Sequence, residues 1–163
     1  MLIHERSQFD IFLALITVSL TVFFDRITKI FFSDILSVGE SFPLIRNFIH
    51  MTLVHNTGIA FGLFKNQGVV FIIIPIIAIV LLVFNIVYYR NTKELSRSYI
   101  IAFSLILGGA IGNLIDRILF GYVIDFIDLR FWPVFNVSDS AITVGAVIIA
   151  FKCIQFSGRK QSA

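Results

Sequence analysis

Long apolar runs constrain this chain more than any other feature. A helix that crosses the ~30 Å hydrocarbon core of a bilayer needs about 20 mostly apolar residues. Four stretches meet that need, at about 11–32, 69–89, 98–115 and 139–156. In lipid the backbone must satisfy its own polar groups, so runs of this length fold as helices. Pro75 and Asn85 fall inside the second stretch, and membrane helices tolerate proline better than soluble ones. Composition agrees: 58% of the residues are hydrophobic, 14% are charged and 19 are phenylalanine. Soluble domains are usually about 45–50% apolar. With 163 residues there is room for one integral membrane domain, 1–163, and no second folded unit.

The N-terminal run, with His4 and Arg6 ahead of it, has the outline of a signal peptide. No small-x-small cleavage site follows, and the chain runs directly into Asp25-Arg26-Ile27-Thr28-Lys29. It therefore reads as a retained first span. Lys and Arg in short loops mark the cytoplasmic side. Arg90, Lys93 and Arg97 lie in the second connection, Lys152, Arg159 and Lys160 near the C-terminus, and Arg6 near the N-terminus. These regions alternate as four spans with both termini cytoplasmic require. Segments 33–68 and 119–134 then face outward, although they hold Arg46, Lys65 and Arg130. The expected architecture is an all-α membrane fold of four transmembrane helices. In the first outer segment, 41–45 and 51–54 predict short strands, and Gly58 and Gly62 supply turns or close backbone approaches. A small extracytoplasmic sheet after the first helix follows. The net charge of +3 gives no reason to expect nucleic acid. Cys153 is the only cysteine, which excludes an internal disulfide and a cysteine-based metal cluster. His4, His50 and His55 lack metalloprotease spacing, so no metal and no cofactor is expected.

Against this background, carboxylates need a reason to be present. An acid near hydrocarbon costs roughly 2.5–3.5 kcal/mol on insertion scales and marks a functional site by default. Asp125 lies between Ile124 and Phe126 in an apolar outer segment, and Asp139 opens the fourth run. Capping a helix is an alternative reading for Asp139; none presents itself for Asp125. Only 14 positions separate them, and Pro133 helps the intervening chain to turn back. Two close carboxylates cannot readily hold two full charges, so they share a proton. One can then act as a base on water while the other protonates a carbonyl or leaving group.

Other polar residues cluster in sequence around them. Asp25 and Lys29, four apart, share a helix face and read either as a snorkelling helix end or as charges that position partners. Asn113, Asp116 and Arg117 close the third run, either as interfacial charge or as part of a site. Gly108 and Gly112 just upstream form a small-xxx-small pair suited to close helix packing. His55 as a base for Ser138 or Ser140 is disfavoured, because no nucleophile elbow surrounds either serine.

Five blocks occur in one order: Asp25-x-x-Thr28-Lys29, His55-Asn56-x-Gly58-x-Ala60-Phe61, Gly112-Asn113-x-x-Asp116-Arg117, Val123-x-Asp125-Phe126 and Phe135-Asn136-x-x-Asp139-Ser140. In this the chain resembles bacterial lipoprotein signal peptidase, or signal peptidase II, from about Asp25 to Gly145. The resemblance implies an aspartic endopeptidase of the bacterial inner membrane. It would cut prolipoproteins on the N-terminal side of a diacylglyceryl-modified Cys, near the extracytoplasmic face. It implies that Asp125 and Asp139 are the catalytic pair. Asn56, Gly58, Asn113, Arg117 and Asn136 would bind substrate or orient the carboxylates, with Asp25, Lys29 and Asp116 in support. Segment 33–68 would be the cradle that holds the substrate from outside. Ser138 stands where the family usually has alanine, Ile59 where a small residue is common, and the connector between the two aspartates is short. From the residues alone two further readings stay open: an ion-coupled transporter using Asp125, Asp139 and Arg117 as a relay, and a non-catalytic assembly or lipid-binding factor. Clustering of the acids toward one end and the lack of an inverted repeat speak against transport.

Overall fold

A computed structural model describes residues 2–58, 70–90 and 96–161. The elements run α1 (Leu2–Ile35), β1 (Ser41–Ile45), β2 (Ile49–Asn56), α2 (Val70–Arg90), α3 (Arg97–Phe120), β3 (Val123–Asp128) and α4 (Val137–Gln161). Residues 59–69 and 91–95 lie outside this description, and with them the expected turn at Gly62 and the charges of Lys65 and Lys93.

Three helical stretches are long and apolar enough to cross a membrane: Gln8–Ile35, Arg97–Phe120 and Val137–Gln155. The chain is a multi-pass membrane protein. The second apolar run is helical too, over 21 residues with Pro75 inside it. Large side chains such as Phe12, Leu15, Phe23, Ile118, Val147 and Ile154 are exposed on these helices. On a soluble surface they would be an aggregation patch; on a membrane helix they are the lipid face.

α3 is the central helix, packed against α1, α2 and α4. Glycines make the close approaches. A Cβ on Gly108 would stand 2.8 Å from Thr21 Cβ of α1, and one on Gly145 2.6 Å from the Ala102 carbonyl oxygen. Gly109 is closed by the backbone carbonyl of Ser138, and Gly112 by Ser138 Oγ and Asp25 Oδ2. Gly108 and Gly112 thus share a face toward α1, the first against Thr21 and the second against Asp25, and Gly112 also meets Ser138 of α4. Gly109, which no spacing rule singled out, completes the α4 contact.

The sheet is antiparallel with order β1-β2-β3. β1 and β2 were expected near where they form. β3 was not, because Val-Ile-Asp-Phe-Ile-Asp lacks alternation of apolar and polar residues, the usual strand signal. It pairs with β2 in the register Val54↔Asp125, His55↔Ile124 and Asn56↔Val123. Ile127 extends the ladder by a bridge to Phe135. A small core of Leu36, Leu53 and Ile124, backed by Phe32, Met51 and Tyr122, joins the sheet to the end of α1, and Phe32 stacks on Phe126 at 4.5 Å. Gly121, at φ 78°, ends α3 in the left-handed conformation that glycine adopts without strain. Only Gly121 and Tyr122 separate α3 from β3, so the last turn of α3 and the start of β3 lie side by side.

The connector after β3 is tied down. Thr52 Oγ1 donates to Asp128 Oδ2 at 2.8 Å, the Arg130 backbone N–H donates to Asp128 Oδ1 at 2.8 Å, and Arg130 Nη2 meets His50 Nδ1 at 2.6 Å. Burial alone would raise the Asp128 pKa, but these donors with the Arg130 and His50 charges outweigh it and hold the carboxyl below its ordinary range.

Candidate functional site

Every candidate site residue lies at the same end of the helices, where α1 and α3 finish, α4 starts and the sheet sits. The lowest layer is a buried ionic cluster. Lys29 and Asp25 of α1 and Asp116 of α3 are fully buried. Lys29 Nζ contacts Asp25 Oδ2 at 2.8 Å, Asp116 Oδ2 at 2.7 Å and Asn113 Oδ1 at 3.2 Å. An ammonium has three donors, and all three are used. Lys29 is therefore no snorkelling helix end; it is a cation locked among acceptors from two helices. Arg26 pairs with the other Asp116 oxygen, which leaves two acids facing two bases. Arg26 was not singled out from sequence, although a second cation beside Asp25 in an apolar run was a usable signal.

The same carboxylates tie the helices to the sheet. Asp25 Oδ1 accepts the Ser138 backbone N–H at 2.9 Å, one of the unsatisfied donors at the start of α4. Asp116 Oδ2 accepts the Ile124 N–H at 3.1 Å and fixes β3 one residue before Asp125. Arg117 Nη1 donates to the Asn113 carbonyl at 3.3 Å, and Asp139, Asp125 and Asp116 lie close enough for their charges to act on it.

Asn136 joins the upper layer together. Its Nδ2 donates to Asp125 Oδ1 at 2.7 Å and to Asn113 Oδ1 at 3.0 Å. Its Oδ1 accepts the Asp139 backbone N–H at 2.9 Å, while its own N–H donates to Asp139 Oδ2 at 3.2 Å. This is a reciprocal capping box with Asn136 as the cap. The capping reading of Asp139 is thus corrected: Asp139 sits inside the first turn, and its Oδ1 is left to accept Asn113 Nδ2 at 2.8 Å. Asn56, at the end of β2, donates from Nδ2 to Asp125 Oδ2 at 2.9 Å and accepts the Gly58 N–H at 3.2 Å, so Gly58 closes the turn that aims Asn56. His55 takes no part in a serine–histidine arrangement; its ring stacks on Tyr122 at 3.9 Å.

Asp125 and Asp139 thus come from a strand and a helix and are held through one shared asparagine. Asp125 is buried, and its pKa is pushed up to about 6. Burial is the largest cause; the donor Asn56 opposes it, the Asp139 charge adds to it, and the Asn136 donor and Lys29 charge oppose it. An acid of raised pKa beside a second carboxylate is an arrangement suited to general acid–base chemistry on water. No group of three or more metal-binding side chains occurs among the described residues.

Comparison with known proteins bears on the same residues. Residues 17–155 match the family described as signal peptidase (SPase) II. The lipoprotein signal peptidase of Halothermothrix orenii is 40% identical over 134 residues, 82% of this chain and 90% of that protein. The lipoprotein signal peptidase of Staphylococcus aureus is 34% identical over 144 residues, 86% of each. A bacterial membrane enzyme solved by the in meso method at 2.3 Å superposes with a TM-score of 0.80 at 33% identity, covering 90% of both chains. A second, solved at 1.9 Å, gives 0.75 at 34% identity over 86% of this chain and 91% of the other. With the fold, the sequence and the polar end of the bundle all in accord, this chain belongs to the lipoprotein signal peptidase (signal peptidase II) family of proteases.

Proposed function

We propose that this protein is an intramembrane aspartic endopeptidase that removes the signal peptide from diacylglyceryl-modified prolipoproteins, cutting on the N-terminal side of the lipidated Cys. The observation that carries this reading is the pairing of Asp125 and Asp139 through Asn136. Asp125, whose proton is held up to about pH 6, gives it to the scissile carbonyl oxygen. Asp139, whose oxygens accept donors from Asn113 and Asn136, takes a proton from the attacking water. The tetrahedral intermediate then collapses as a proton passes to the amide nitrogen, and the C–N bond breaks. Asn56, Asn113 and Asn136 orient the carboxylates, Gly58 sets Asn56, and Arg117 lies beside the pair to meet substrate. Asp25, Lys29 and Asp116 brace the elements that carry it. A relay for transport fits less well, because the acids gather at one end of the helices rather than at mid-depth.

In this reading the protein is one domain with four spans, including α2, and both termini in the cytoplasm of a bacterium. The site faces outward across the inner membrane, and the sheet forms the cradle for the substrate. The lipid-bearing substrate approaches from the bilayer. A gel-shift assay in detergent micelles tests it with prolipoprotein that carries or lacks diacylglycerol. Cleavage of the lipidated form alone, reduced at least ~100-fold in both Asp125→Asn and Asp139→Asn, is expected. Equal cleavage of both forms, or unreduced activity in either variant, would overturn the reading.

A further inference from the structure

A groove of about 390 Å³ runs between α3 and α4 far from the aspartates, lined by Ser98, Ile101, Val147, Ile148, Phe151 and Lys152. Its volume lies in the ~300–1,000 Å³ range of small-ligand sites. Lys152 is 13 positions beyond Asp139 on the same helix, or about 20 Å along the axis at 1.5 Å per residue, so the groove opens on the opposite leaflet. Lys152 lies in the C-terminal half of α4. It is half-buried. Among the described residues no carboxylate pairs with it, whereas nearby Arg97 is engaged by Asp10 at 3.7 Å and by the Phe9 ring at 4.7 Å.

We propose that this groove is a binding site for an anionic glycerophospholipid of that leaflet. The phosphate pairs with Lys152 and accepts from the Ser98 hydroxyl, and an acyl chain lies along Ile101, Val147, Ile148 and Phe151. Charge complementarity selects this occupant. An ammonium beside an apolar groove matches a phosphate joined to a hydrocarbon tail, and basic pockets between membrane helices bind anionic headgroups. The same charge disfavours a signal peptide, whose leading segment is positively charged. The site is separate from the aspartate pair, so it stands or falls independently of the proposed reaction.

The test is titration of the delipidated full-length protein, in neutral detergent, with dioleoylphosphatidylglycerol or dioleoylphosphatidylcholine. Bound lipid is read by native mass spectrometry and stabilisation by thermal unfolding. The phosphatidylglycerol should bind more tightly and raise the melting temperature more. Lys152→Gln should weaken that preference about fivefold, and Val147→Trp, which fills the groove and keeps the charge, should reduce bound lipid of both kinds. Equal binding of the two lipids by the wild type, or a preference that survives both substitutions, would overturn the assignment.

Discussion

Asp125 carries the pH dependence that the site predicts. With its pKa pushed up to about 6, it holds a proton in weak acid and loses it above. If the pair works with one proton, kcat/KM should fall on the alkaline side with an apparent pKa near 6 in the free enzyme. Asn56→Ala removes a donor to the ionised form and should move that limb upward; a limb unmoved by the substitution would separate Asn56 from the titrating group. Stability should follow the same sign. A carboxyl whose folded pKa is raised contributes stability present in full below the ordinary carboxylate range and lost as pH rises through about 6. Asp125→Asn should therefore flatten the unfolding free energy between about pH 4 and 6. For Asn136, two substitutions divide its roles. Asn136→Ala should cost ~1 kcal/mol as a lost cap and about 100-fold in turnover through misplaced carboxylates. Asn136→Ser keeps a capping oxygen, removes the Nδ2 donor and should lose activity with less loss of stability. Unfolding in detergent beside cleavage kinetics measures both.

Among the elements, the junction of α3 with α4 sets where Asp139 points. Gly109 abuts the Ser138 backbone carbonyl, and backbone cannot step aside as a flexible side chain can. Gly109→Ala should cost ~1–3 kcal/mol in unfolding and reduce activity, whereas Gly39→Ala, which meets open space at φ 86°, should cost only its ~1–2 kcal/mol of left-handed strain and spare turnover. A Gly109→Ala protein with wild-type stability would remove the close approach from the account. The expected helices and the strands β1 and β2 were legible from hydropathy and turn residues. β3 was not, because its two aspartates interrupt any period of two, and the strand exists by virtue of its pairing with β2 and its burial against α1 and α3.

For the molecule as a whole, the buried cluster of Lys29, Asp25, Asp116 and Arg26 links α1, α3, β3 and α4. Lys29→Met leaves two buried carboxylates without their shared cation. It should destabilise by ~3–5 kcal/mol and disturb both aspartates of the site, read by loss of the cooperative unfolding transition at wild-type temperature. A variant as stable as wild type would show that the cluster is not the brace. The sequence by itself determined that the chain enters a membrane, because uncharged runs of that length have no other solvent, and it exposed the acids that such a solvent makes costly. The tertiary structure alone decided which groups those acids meet. Asn136 reaches Asp125, Asn113 and Asp139 at once, and Asp25 reaches the Ser138 N–H across 113 positions; such contacts depend on helix crossing and strand register, which no local pattern of residues encodes.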